Sequence, residues 1–287
     1  MIALLQAEYP LLVMGLTLMF GLIIGSFLNV VIYRLPIRLE ADWKQQASEV
    51  LGIEAEAPSP HFNLVFPGSH CPHCGSRIKA WQNIPVLSYL FLKGRCANCD
   101  KTISLRYPAI ELLTGILTCI TVYYFGLTAT ALACCVLTWA LIALSMIDYD
   151  HQILPDDITL PFLWLGLIVN YFGLVTDFGS AFLGAIAGYL SLWVVYQAFK
   201  LATGKEGMGY GDFKLLAMLG AWTGWQTLPL LIILSSFTGA VLGGLLILLG
   251  RDRAHAIPFG PYLAIAGWIT LLWGDEITAS YLQFAAM

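Results

Sequence analysis

Four cysteines and two aspartates carry the chemistry legible in this chain. The cysteines form two matched knuckles, Cys71-Pro-His-Cys74-Gly-Ser-Arg-Ile and Cys96-Ala-Asn-Cys99-Asp-Lys-Thr-Ile. Each is C-x-x-C followed by a polar stretch and an isoleucine, so the pair is a short internal repeat. The pairs stand 21 residues apart, the spacing of a four-thiolate zinc site. Zinc takes four ligands tetrahedrally, and each knuckle can supply two sulfurs from one tight turn. Gly75 can adopt the backbone geometry that follows such a knuckle. Arg77, Lys79, Arg95 and Lys101 lie close in sequence and would offset thiolate charge. Cys71, Cys74, Cys96 and Cys99 are therefore the expected ligands of one structural zinc ion, with His73 a bystander. A redox dithiol is the alternative. A closed zinc site does no chemistry itself; it contributes folding free energy.

The carboxylates are Asp148, in Ile147-Asp148-Tyr149-Asp150, and Asp212, in Gly209-Tyr210-Gly211-Asp212. Each stands at the edge of an apolar stretch. Ionisable residues at that depth are functional by default. Two carboxyl groups brought close cannot both ionise easily, so one keeps a proton. One could then activate water while the other donates a hydrogen bond to a substrate carbonyl. Gly209 and Gly211 would let the backbone approach a bound peptide. The competing reading is that Asp212 only caps a helix beginning at Phe213. Asp156 and Asp157 follow Pro155 and read as helix caps. Asp150 and His151 read as solvated loop residues, and Glu111, about one turn inside an apolar stretch, could face the active cavity.

The elements that must position these groups are membrane helices. Hydrophobic residues make up 59% of the 287 positions and charged residues 11%, against about 25% charged in a soluble domain. Mean hydropathy is +0.77. Apolar stretches run over residues 11–33, 108–126, 128–147, 158–176, 179–199, 213–225, 227–250 and 257–274. A spanning helix needs about 20 residues, so 213–225, which also holds Lys214, reads as a short helix or a re-entrant segment buried in protein. Met1 to Pro10 contains no Lys or Arg and lacks the basic region of a secretory signal, so the first span is expected to be retained.

The fold class predicted is an all-α polytopic membrane protein. It has about eight transmembrane helices and a small zinc-binding domain inserted after the first span. With the N-terminus outside, the inside segments are 34–107, 148–157, 200–212 and 251–256. All 14 Lys and Arg residues fall in them or within a turn of them, a strong positive-inside pattern. The zinc loop and both aspartates then lie on the cytoplasmic side. The division expected is 1–33, a first span; 34–107, a cytoplasmic zinc domain; and 108–287, a membrane domain holding the aspartates. Within the loop, Ala41 to Pro60 is acidic and reads as mobile. The cytosol is reducing, which argues against structural disulfides among the loop cysteines. Cys119, Cys134 and Cys135 read as packing residues.

Other polar and small residues fit helix packing. Asn29 and Gln197 read as interhelical hydrogen-bonding residues. Gly21/Gly25, Gly184/Gly188, Gly220/Gly224 and Gly239/Gly243 read as helix contact faces. There is no G-x-S-x-G, no H-E-x-x-H, no dinucleotide fingerprint and no basic-aromatic surface for nucleic acid.

Taken together, these residues resemble the bacterial type IV prepilin leader peptidase and N-methyltransferase family, close to end to end. The matching segments are Gly25 to Pro36 (GSFLNVVIYRLP), both knuckles, Asn83 to Tyr89 (NIPVLSY), Arg106 to Gly115 (RYPAIELLTG), Ile147-Asp148 through Leu154-Pro155-Asp156, Gly209 to Leu216 (GYGDFKLL) and Ile257 to Pro261 (IPFGP). The resemblance implies a G-x-G-D membrane aspartyl peptidase of the bacterial inner membrane. Asp148 and Asp212 match the catalytic pair. The implied substrates are prepilins and type II secretion pseudopilins, cut after a glycine that ends a short basic leader. Members with the cysteine loop also methylate the freed amine with S-adenosylmethionine, so the resemblance alone implies loop 34–107 as the site of methyl transfer. No familiar methyltransferase glycine loop occurs there, so no residue is assigned to that cofactor. A peptidase without methyl transfer, a transporter with a zinc-ribbon regulatory loop, and a non-enzymatic assembly protein are the alternatives.

Overall fold

The structure, a computed structural model, describes residues 8–53, 63–248 and 258–285. All the long elements among the described residues are helices: α1 (Pro10–Leu51), α2 (Leu87–Phe91), α3 (Arg106–Phe125), α4 (Ala129–His151), α5 (Asp156–Tyr171), α6 (Phe178–Thr203), α7 (Tyr210–Thr223), α8 (Leu228–Leu248) and α9 (Gly260–Ala285). Each of the eight apolar stretches overlaps a helix. Five segments are long and apolar enough to cross a membrane: Pro10–Leu51, Arg106–Phe125, Ala129–His151, Phe178–Thr203 and Trp225–Leu245. The protein is thus an all-helical membrane protein with five candidate spans. α5 and α7, at 16 and 14 residues, fall short of the roughly 20 that a straight span needs.

The chain divides into two compact units, Met1–Leu127 and Thr128–Met287. In the first, α1 packs on α3 through Gly21 and Gly25. A Cβ on Gly21 would lie 2.8 Å from Gly115 Cα, and one on Gly25 2.7 Å from Glu111 Cα. The Asn29 amide donates to the Tyr107 carbonyl at 3.1 Å, an interhelical bond as expected.

α1 does not stop near residue 33. It runs on to Leu51, where Gly52 at φ 66° ends it in a left-handed cap. The acidic segment expected to be mobile from Ala41 is therefore helical as far as Leu51. Its charges support the helix: Arg38 lies 3.8 Å from Asp42, and Gln45 donates to Glu49 at 3.0 Å, both pairs at i,i+4. Residues 54–60 of that segment, residues 1–7 of the N-terminus, the basic stretch 251–256 and Ile257 lie outside the described residues.

The second unit is built around α7. From Leu215 to Thr223 every residue of α7 is buried, as are Asp212 and Phe213, with α5, α6 and α9 packed around it. Gly184 on α6 and Gly220 on α7 face each other so closely that a Cβ on either would strike the other's backbone carbonyl. The segment read as 213–225 is thus a short helix enclosed by protein. Its far end is fixed by the buried Asn170 on α5. The Asn170 amide donates to the Ala221 and Trp222 carbonyls, each at 2.9 Å, and its oxygen accepts from Val175 and Thr176 N–H at 3.2 and 2.9 Å. A buried amide with all four hydrogen-bonding positions used is a low-cost way to fix a helix end. Trp222 Nε1 adds a bond to the Phe162 carbonyl at 2.8 Å.

Candidate active site and metal centre

Asp148 is in the last turn of α4 and Asp212 in the first turn of α7, both in the second unit and both buried. The α7 N-cap is Gly209, and no side chain caps the helix. The competing reading, that Asp212 only caps a helix beginning at Phe213, fails, because Tyr210 and Gly211 already form the first turn. Asp212 therefore projects from inside the helix. Asp148 lies close enough for its charge to act on Asp212.

Further residues complete the surroundings. Gly260, the first residue of α9, donates its N–H to Asp148 Oδ2 at 2.9 Å. A Cβ on Gly260 would lie 2.6 Å from that same oxygen, so the close approach requires glycine. Leu154, buried in the α4–α5 connection, lies against both glycine turns. A Cβ on Gly211 would stand 2.9 Å from Leu154 Cβ, and one on Gly260 3.1 Å from Leu154 Cδ2. The space left by Gly211 is filled by Leu154 and is not open to a peptide backbone as expected.

The reading of Asp156 as a cap also fails. Pro155 is the N-cap of α5 and makes no side-chain cap bond; Asp156 and Asp157 lie in the first turn. Asp156 instead accepts from Lys214 Nζ on both carboxylate oxygens at 2.7 Å, which ties α5 to α7 two residues beyond Asp212. Asp150 and His151 are exposed but belong to the last turn of α4, not to a loop. Sequence reasoning assigned no role to Gly260, Leu154 or Lys214. All three lie within segments quoted for the family resemblance, which was their only signal.

Glu111 lies in the first unit, on α3. Its carboxylate accepts the Val86 N–H at 2.8 Å. Val86 stands at φ 60°, a region β-branched residues avoid, so Glu111 pins a strained turn ahead of α2.

The cysteine pairs fold as true repeats. In each, the first cysteine N–H donates to the carbonyl five residues on, Cys71 to Ser76 and Cys96 to Lys101, both at 2.9 Å. The residue four on donates back, Gly75 to Cys71 at 2.9 Å and Asp100 to Cys96 at 3.0 Å. Gly75 and Asp100 both adopt positive φ, 67° and 55°. Antiparallel bridges His70–Arg77 and Arg95–Thr102 close the two loops.

The four sulfurs all lie within 4.8 Å of one another, and Cys71 Sγ is 3.9 Å from Cys99 Sγ. Sulfurs tetrahedral about zinc at about 2.3 Å stand roughly 3.8 Å apart, so this donor set fits a bound metal. The Ser76 hydroxyl and amide and the Asn98 amide pull the Cys74 thiol down to about 6. Backbone N–H groups of Asn98 and Cys99 lower Cys96. The Lys101 amide lowers Cys99, but burial and the neighbouring sulfurs outweigh it and leave that thiol at about 12. Four sulfurs this close need a cation before all can ionise. His73 is exposed and outside the cluster.

Paired buried carboxylates among membrane helices, with a four-cysteine cluster between the first spans, define the class: a polytopic membrane protein equipped for acid–base chemistry. Residues 19–125 match the bacterial peptidase A24 N-terminal domain, and residues 135–244 match the type IV leader peptidase family. A prepilin leader peptidase/N-methyltransferase of Stutzerimonas stutzeri is 57% identical over 282 residues, covering 98% of each chain. Proteins of the same description from Pseudomonas aeruginosa and Legionella pneumophila are 56% and 45% identical, covering 97% and 99% of this chain and of their own. No solved structure matches. The chain belongs to the type IV leader peptidase family.

Proposed function

We propose that this protein cleaves the short basic leader from type IV prepilins and type II secretion pseudopilins after glycine. It then N-methylates the new N-terminal residue with S-adenosylmethionine. The observation that carries the first half is the buried pair Asp148 and Asp212, from separate helices yet close enough to interact. Near-full-length identity to proteins described by both activities supports the second.

One carboxylate, ionised, takes a proton from water as the water oxygen adds to the scissile carbonyl carbon. The other, protonated, donates to the carbonyl oxygen. A proton then passes to the leaving nitrogen, the C–N bond breaks, and a carboxyl group and a free amine result. The Gly260 N–H holds Asp148 in place for this.

Cys71, Cys74, Cys96 and Cys99 hold one structural zinc ion, which orders the loop and takes no part in cleavage. S-adenosylmethionine, when bound, supplies an electrophilic methyl group. The zinc-ordered loop is the element that would present it to the freed amine.

In this reading residues 1–33 are the first membrane span, 34–107 the cytoplasmic zinc domain and 108–287 the peptidase. About eight helices traverse or enter the bacterial inner membrane, and both sites face the cytoplasm. The positive-inside distribution of Lys and Arg supports that orientation.

The test is co-expression with a prepilin in a host lacking its own peptidase, followed by mass spectrometry of the pilin. Leader loss reports cleavage and an added methyl reports transfer. Asp148→Asn and Asp212→Asn should each abolish both, since no amine is exposed without cleavage. Processing by either variant at near the unsubstituted rate would sink the two-aspartate assignment.

A further inference from the structure

The segment bearing the knuckles shows an inverted pattern at α2. Leu87, Leu90 and Phe91 fall at i, i+3 and i+4, one face of a helix. That face is turned outward, with the side chains 52%, 64% and 78% exposed. The opposite position, Tyr89, is turned inward: its hydroxyl donates to the Ile103 carbonyl at 3.3 Å, and its ring covers Gly94. Just ahead of α2, Trp81 and Ile84 are also exposed. A folded segment that points its aromatic and aliphatic groups out and its tyrosine in is built to meet an apolar partner.

Charge identifies the partner. From residue 57 to residue 99 the sequence contains Arg77, Lys79, Lys93 and Arg95 and no Asp or Glu. All four cations are exposed. They outweigh the two negative charges that four thiolates and one divalent metal ion would leave on the knuckles. Exposed aromatic and aliphatic groups flanked by Lys and Arg are the signature of an anionic lipid interface, where rings enter the headgroup layer and cations meet phosphate. The flanking helices, α1 and α3, are both candidate spans. The chain on either side of the segment thus enters a bilayer.

We propose that α2, with Trp81 and Ile84, is a foot that seats the cysteine-bearing segment on the anionic phospholipid surface of the membrane that α1 and α3 enter.

The test uses the full-length protein in vesicles of phosphatidylethanolamine and phosphatidylglycerol, without substrate. The photo-crosslinker p-benzoylphenylalanine replaces Leu90 in one variant and Phe91 in another. Illumination should give phospholipid adducts at both positions, read by mass spectrometry. Adduct yield should fall several-fold when phosphatidylcholine replaces phosphatidylglycerol. Adducts only to this chain or to a second copy would overturn the proposal, as would an absence of lipid adducts in a variant that still binds metal. Equal yields in both vesicle types would overturn the assignment of an anionic surface.

Discussion

The backbone N–H of Gly260 donates to Asp148 Oδ2 at 2.9 Å across 112 residues of sequence. The first turn of α9 thereby fixes a buried carboxyl group at the end of α4. The same oxygen would lie 2.6 Å from any Cβ at position 260, so even alanine must push Asp148 aside. Displacing a catalytic group by an ångström can cost about 10²-fold in rate. Gly260→Ala is expected to lower prepilin cleavage by about that factor with little change in membrane insertion. Initial-rate cleavage assays on equal amounts of inserted protein would check this, and an unchanged rate would remove Gly260 from the site.

The Lys214–Asp156 pair predicts an outcome opposite to that of a capping residue. Its side chains are 30% and 51% exposed, so its loss should cost less than about 1 kcal/mol of stability. Yet it joins the first turn of α5 to α7 two residues beyond Asp212. Asp156→Asn and Lys214→Gln should each slow cleavage by roughly tenfold with KM nearly unchanged. The exchanged pair Asp156→Lys/Lys214→Asp should recover much of the rate. Asp157→Asn should stay near normal. If Asp156→Asn is also silent in kcat, the pair does not position Asp212.

Asn170 should matter for stability and not directly for chemistry. Asn170→Ala leaves the Val175 and Thr176 N–H groups and the Ala221 and Trp222 carbonyls without this partner. Each buried polar group left unsatisfied costs roughly 1–3 kcal/mol. A markedly lower unfolding midpoint in detergent is expected, with residual cleavage per folded molecule largely preserved. A midpoint within error of the unsubstituted protein would show that other groups or water replace the amide.

The knuckles should separate the two activities. Elemental analysis is expected to give about one zinc per chain, lost in Cys71→Ser/Cys74→Ser. Cys96→Ser should depress methylation of the mature pilin more than leader removal. Normal methylation in a variant that has lost its metal would detach methyl transfer from this loop.

The sequence alone determined what is short-range. Each knuckle closes its hydrogen bonds within six residues, Cys71 to Ser76 and Cys96 to Lys101, so its motif specifies its fold. Helix positions followed from apolar length, and the prominence of Asp148 and Asp212 from their place at the edge of apolar stretches. Errors arose where local cues competed. Arg38–Asp42 and Gln45–Glu49 prolong α1 through a segment whose acidity suggested mobility, and Asp156 looked like a cap because it follows Pro155. Only the tertiary structure decided partners: Gly260 with Asp148, Lys214 with Asp156, Asn170 with the end of α7. The physical reason is that α6 and α7 are apolar around nearly their whole circumference. Such helices carry no hydrophobic stripe to say which face turns inward. Their rotation and neighbours are set by close approach at glycines and by a few buried polar contacts, which exist only once the helices have packed.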